Sequence, residues 1–190
     1  MGKTTWLSAS WALGALLGLA YAARRLDHKG DPTRLMRGGL IVGLVAFPTV
    51  IFSAPLGSAL LFFIGALLIG FGAGLFSVAT LILAMTIPIS GIAGRGLAIG
   101  AWGAAQATAA GISIALGGFL RDFINYHAMR GSWGEALATP ATGYSFVYHS
   151  EIALLIVTLL VLLPLIRQGQ HIASKTDQGS AGIRLADFPM

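Results

Sequence analysis

Between Arg37 and Arg95 the chain runs for 57 residues without an Asp, Glu, Lys or Arg. A water-facing surface cannot be built from such a stretch, because folded domains cover themselves with charged and polar side chains. A helix needs about 20 apolar residues to cross ~30 Å of hydrocarbon. The run is long enough for two crossings and a turn. Ser53-Ala54-Pro55-Leu56-Gly57-Ser58 supplies the turn, with Pro and Gly as its breakers. The same reading along the whole chain predicts five spanning helices, near 5–23, 38–53, 58–85, 97–120 and 145–166, and a polar tail over 167–190. The expected fold class is therefore an all-α membrane protein. Composition agrees: 10% of the 190 residues are charged, against roughly 25% in soluble domains. An ordinary soluble domain and a disordered chain are both excluded.

The chain carries 12 basic and 7 acidic residues, a net charge of +5. That excess could suggest a nucleic-acid partner, but its placement points elsewhere. Five helices put the first link (Arg24, Arg25, Lys29, Arg34, Arg37), the third link (Arg95) and the tail (Arg167, Lys175, Arg184) on one side, nine basic residues in all. Lys3, Arg121 and Arg130 fall on the other. Nine against three predicts a cytoplasmic C-terminus and an outside N-terminus. The basic residues then face anionic lipid and not nucleic acid. Lys3, the apolar run after it and Ala20-Tyr21-Ala22 imitate a cleavable leader. Cleavage there would send the most basic link outside, so the charge count opposes it. With no cysteine, disulfides, thiolate metal sites and a Cys nucleophile are excluded. An odd helix number with the N-terminus outside suggests a piece of something larger, since six-helix transporter halves have both termini on one side.

Small residues recur at helical spacing. Gly14 and Gly18 form a GxxxG pair, as do Gly70 and Gly74. In the fourth helix Gly100, Ala104, Thr108, Gly111, Ala115 and Gly118 share one face. In lipid, close backbone approach drives helix association. The fourth helix is therefore expected to lie buried between neighbours of its own chain; the sharper alternative is a docking face for a partner helix.

Polar groups inside a span must be satisfied there. Gln106 lies mid-span with Trp102 one turn before it, and His149 and Glu151 open the fifth span. Gln106 reads either as an interhelical hydrogen bond or as a contact to a ligand in a central cleft. Glu151, within the first two turns, reads as an interfacial carboxylate that reaches water, with a proton relay or partner contact as the alternative. Imidazole is the usual ligand for a transition metal or a chlorin magnesium. His149 and Glu151 nevertheless lie about 200° apart on a helix, and His28, His127 and His171 fall in links or the tail. No metal site is expected, and His149 reads as a hydrogen-bonded surface group. No GxSxG, Walker or HExxH sequence is present, so no enzyme is predicted.

Four segments are more specific. They are Gly96-Leu97-Ala98-Ile99-Gly100-Ala101-Trp102-Gly103-Ala104-Ala105-Gln106-Ala107-Thr108-Ala109-Ala110-Gly111, continuing to Gly117-Gly118-Phe119-Leu120-Arg121-Asp122; Pro140 through Ile152; Gly74 through Thr80 with Ala84-Met85; and Thr4 through Ala9 with Gly14 to Gly18 and Ala23 to Leu26. Together they resemble the PucC family, the bacteriochlorophyll-delivery branch of the major facilitator superfamily. The resemblance covers nearly everything from Thr4 to Arg167. It implies the last five helices of a twelve-helix fold, in the intracytoplasmic photosynthetic membrane, the inner membrane of a bacterium. It implies assembly of light-harvesting complexes through bacteriochlorophyll, bound transiently, or nascent antenna helices. The implied partners are antenna polypeptides or the missing N-terminal half. Trp102, Gln106, His149 and Glu151 are the aromatic or polar members of the matching segments and the candidate pigment or partner contacts. Gly14-x-Leu16-x-Gly18 with Arg24-Arg25 resembles the superfamily's cytoplasmic loop motif, with Leu19 where the motif has an acidic residue. A partial small-molecule or lipid transporter, and a truncated remnant without function, are the alternatives.

Overall fold

The structure is a computed structural model that describes the backbone of residues 2–28, 30–86 and 91–181, and the side chains of 5–28, 30–86, 94 and 96–164. Residues 182–190 of the expected polar tail lie outside the described residues. Five α-helices follow one another: α1 (Gly2–Asp27), α2 (Pro32–Ser53), α3 (Ala59–Met85), α4 (Gly91–Met129) and α5 (Ala141–Ala181). A single 3-10 turn, Glu135–Leu137, lies between α4 and α5. Each helix contains a segment long and apolar enough to cross a membrane: Thr5–Asp27, Pro32–Ser53, Ala59–Met85, Gly96–Met129 and Ala141–Pro164.

The helices extend past the apolar runs that announce them, and local capping explains where they begin. Asp31 accepts the Thr33 backbone N–H on Oδ1 at 2.8 Å, and Pro32 occupies the first turn. α2 therefore starts within the basic link, six residues before the apolar run at 38. Ser58 caps α3 by accepting the Leu61 N–H at 3.3 Å. The intervening turn holds Gly57 at φ +58°, where a side chain would be strained. Ser58 N–H reaches Ser53 O (3.0 Å) and Gly57 N–H reaches Ala54 O (3.1 Å), a Schellman pairing that satisfies the last carbonyls of α2.

The chain divides into two units, residues 1–155 and 156–190. In the first, α3 is the central helix and meets α1 on one side and α2 on the other. Added Cβ atoms at Gly14 and Gly18 would collide with the backbone carbonyls of Leu67 and Phe71; at Gly70 and Gly74, with those of Trp11 and Ala15. Gly39 and Gly72 face each other across α2 and α3 in the same way, a Cβ on either falling 2.7–2.8 Å from the other's carbonyl oxygen. Gly70 and Gly72 lie about 200° apart on α3, so one helix presents a bare backbone to two neighbours. Leu35, Met36, Leu40, Ala46, Val50, Ala66, Leu75 and Ala79 fill the space between. The second unit continues α5 through Pro164, with Ile156, Val157, Leu160 and Val161 exposed.

Two expectations are corrected. α4 is not buried between neighbours: Ala104, Thr108 and Ala115 are exposed, and a Cβ at Gly100, Gly111 or Gly118 meets nothing within 4 Å. Small residues at helical spacing show that a face permits close approach, not that a neighbour fills it. His127 lies in α4 and not in a link, because that helix continues past Arg121 and Asp122 to Met129.

Candidate functional site

Trp102 and Gln106 lie on the side of α4 opposite the small-residue face, and both turn toward α3. Trp102 Nε1–H donates to Thr80 Oγ1 at 3.2 Å, and Gln106 Nε2 donates to Ser77 Oγ at 3.4 Å. Thr80 Oγ1 in turn donates to Phe76 O at 2.9 Å. Ser77 and Thr80 are three residues apart, Trp102 and Gln106 four, so each pair shares a face and the two faces meet. The indole has a single N–H, and that donor is used here. Trp102→Phe keeps an aromatic ring, smaller than the indole, and removes the donor; it should lower the stability of the detergent-solubilised chain by about 0.6–2 kcal/mol. The thermal transition reads this, and Trp102→Phe combined with Thr80→Val should cost less than the sum of the two single changes.

At the other end of α4, polar groups fasten the start of α5. Arg121 Nη1 donates to the Tyr144 hydroxyl (3.1 Å), and its guanidinium lies 5.3 Å from the Tyr144 ring centroid. Arg121 also pairs with Asp122 at 2.7 Å. Gly143 N–H donates to Asn125 Oδ1 at 2.9 Å, and a Cβ at Gly143 would fall 2.6 Å from both Asn125 Oδ1 and the Arg121 carbonyl oxygen. Phe119, Phe123 and His127 form a row on the same end of α4, with ring centroids 6.1 and 4.7 Å apart, and Trp133 lies 5.9 Å from His127. The i, i+4 aromatic spacing is visible in the sequence; Trp133 joining it across the link is not.

His149 opens onto a cavity of about 380 Å³ between this end of α4, the 3-10 turn and the first turns of α5. Ile124, Trp133, Leu137 and Phe146 make its walls largely apolar. His149 Nδ1 lies 2.6 Å from Ser145 O. A carbonyl oxygen only accepts, so Nδ1 carries the proton. In the neutral ring Nε2 then keeps its lone pair. Glu151 stands about 15 Å along a helix that begins at Ala141, in its third turn and not its first two. It lies about 10 Å past Tyr144 and the Arg121 group. The Glu151 side chain makes no hydrogen bond or ion pair among the described residues.

The four expected contacts do not form one site. Counted from the Arg121–Tyr144 bond, Gln106 lies about 22 Å along α4 and His149 about 7 Å along α5. Trp102 and Gln106 belong to a seam with α3; His149 and Glu151 belong to the first half of α5. Among the described residues no three His, Asp or Glu side chains gather as a metal site.

Five apolar helices, of which α1, α2 and α3 interlock through glycine backbones, tied further by a few interhelical hydrogen bonds, define a multi-pass helical membrane protein. The family described as PUCC protein matches residues 1–170. The chain belongs to the PucC family. It is 49% identical over 189 residues to the "Uncharacterized protein in puhA-bchM intergenic region" of Rhodobacter capsulatus, covering 100% of this chain and 39% of that protein. It is 48% identical over 124 residues to Protein PucC of Rhodovulum sulfidophilum, covering 65% of this chain and 27% of that one. It is 38% identical over 168 residues to Protein PucC of Cereibacter sphaeroides, covering 88% and 35% respectively. The chain thus spans less than two fifths of the length of these curated relatives. No solved structure matches it.

Proposed function

We propose that this chain is the pigment-handling, helix-presenting part of an assembly factor for photosynthetic light-harvesting complexes, seated in the bacterial inner membrane with its N-terminus outside and its C-terminus in the cytoplasm. The observation that carries the reading is His149. Its proton sits on Nδ1, held by the Ser145 carbonyl, which is how protein imidazoles are fixed when Nε2 is to act as a ligand. The neighbouring cavity is lined by Trp133 and Phe146, surfaces on which a flat macrocycle stacks. A bacteriochlorophyll magnesium is already held by the ring's own nitrogens and asks the protein for a single further ligand, so a lone histidine fits it where a multidentate metal site is lacking. When bound, such a pigment would supply the light-absorbing macrocycle. The chain's own part would be to orient it through His149 Nε2 and to cover part of one face with the apolar side chains beside it, since about 380 Å³ does not enclose a whole macrocycle. Trp102 and Gln106, occupied with α3, are better read as positioning groups than as pigment contacts. Glu151, whose carboxylate has no partner among the described residues, is suited to meet a polar group of a nascent antenna helix. The small-residue face of α4 is suited to receive a helix, from an antenna polypeptide or from the missing N-terminal half that the resemblance implies.

The reading is tested in a photosynthetic host. Deleting the gene should lower antenna-complex absorbance while pigment synthesis continues, and His149→Phe should restore it less than the wild-type chain does. Normal antenna levels in the deletion strain would refute the assignment. For the pigment itself, a zinc chlorin should bind the solubilised chain about tenfold more tightly than its metal-free form, a preference His149→Ala should abolish and added imidazole restore. Equal binding of the two chlorins removes His149 as the ligand.

A further inference from the structure

The basic link read above as a topology signal does something more specific in three dimensions. A cavity of about 870 Å³ opens between the end of α1, the start of α2 and the middle of α3. Arg25 and Arg34 are among its lining residues, together with the apolar Val42, Phe71 and Leu75. Arg34 and Val42 are eight residues apart on α2, so the cavity runs about 12 Å from charge to hydrocarbon along that helix.

The arginines are poised and not spent. Arg25 Nε donates to the Tyr21 hydroxyl at 3.0 Å, and its guanidinium lies 5.4 Å from the Tyr21 ring centroid. That leaves both terminal nitrogens without a partner among the described residues. Arg34 approaches Asp31 no closer than 3.8 Å, Nε to Oδ2, and its side chain is 80% exposed. Asp31 is the one carboxylate in the wall among the described residues. Its other oxygen caps α2, so it is held there by the helix rather than by either arginine. The cavity therefore carries a net positive charge, and the N-terminus of α2 adds to it.

We propose that this cavity binds an anionic phospholipid, with the headgroup phosphate between Arg25 and Arg34 and an acyl chain along Val42, Phe71 and Leu75. A free phosphate shares the headgroup chemistry but leaves the apolar wall unused, which favours the lipid. Guanidinium groups match phosphate oxygens in a fork, and basic pockets between membrane helices suit such headgroups.

The test titrates phosphatidylglycerol, phosphatidylcholine and inorganic phosphate separately into the purified 190-residue chain in neutral detergent, and reads bound species by native mass spectrometry. Phosphatidylglycerol should bind about tenfold more tightly than phosphatidylcholine, since two basic residues act near one headgroup. Arg25→Gln with Arg34→Gln should erase that preference. Gly38→Phe provides a second variant: Gly38 lines the cavity, and a Cβ there meets nothing within 4 Å. The ring should fill the space and erase the preference with both arginines intact. Equal binding of the two lipids by the wild-type chain would overturn the proposal. So would a preference that survives both variants, or inorganic phosphate displacing phosphatidylglycerol at matched concentration.

Discussion

Gly70→Val is expected to destroy the packing of α1 against α3. A Cβ at Gly70 would run into the carbonyl oxygen of Trp11 and lie 2.9 Å from the backbone nitrogen of Ala15. Both are main-chain atoms, so no rotamer change relieves the clash; α1 must move as a whole. Overpacking a core costs about 1–3 kcal/mol when side chains can adjust. Here they cannot, and Gly14, Gly18 and Gly74 lose their contacts together. A loss above about 3 kcal/mol is expected, a large share of the stability of a chain this size. The measurement is the thermal transition in detergent, with Gly96→Ala as a control, since a Cβ there meets nothing within 4 Å. A transition for Gly70→Val within about 0.5 kcal/mol of wild type would mean that α1 and α3 do not approach so closely.

The contrast between these glycines shows what the sequence discloses. The spacing of Gly14 with Gly18, and of Gly70 with Gly74, is visible in the chain. That the two pairs meet each other, with Gly39 and Gly72 forming a second contact on the far side of α3, is not. Periodicity places residues on a face but does not name the neighbour. For the same reason the small-residue face of α4 was read as buried while it stands open. The apolar runs along the whole chain disclose five helices well, because hydrocarbon thickness and helix rise are fixed quantities. Helix starts were less legible. Asp31-Pro32 and Pro140-Ala141 begin helices before the apolar residues do, and this moves two functional readings. Glu151 goes from the first two turns to the third, and Arg34 goes from a link into α2, facing the same cavity as Arg25. His149 was legible as a candidate only by residue type. Its tautomer depends on Ser145 being one helical turn away, and its apolar cavity depends on Trp133, which is brought in by a link whose course the sequence does not reveal.

Gly111→Leu should leave the isolated chain as stable as before and yet reduce antenna-complex assembly several-fold. The first half follows from open space: a Cβ at Gly111 meets nothing within 4 Å, and the large apolar neighbours Ile112 and Ile114 are already exposed. Leucine is also the better helix former, so the thermal transition should stay within about 0.5 kcal/mol of wild type. The second half follows from what a bare helix face is for in lipid. Association there depends on backbones coming close, and one bulky side chain at the centre of a small-xxx-small stripe holds them apart. Gly111 sits among Ala104, Thr108, Ala115 and Gly118 on that stripe, so a single leucine interrupts it. Absorbance of the antenna complex in a complemented deletion strain, set beside the thermal transition of the same variant, separates the outcomes. Lost stability would mean that another part of this chain covers the face. Unchanged stability with unchanged antenna levels would mean that the face meets only lipid, and the proposed docking of a partner helix on α4 would be wrong.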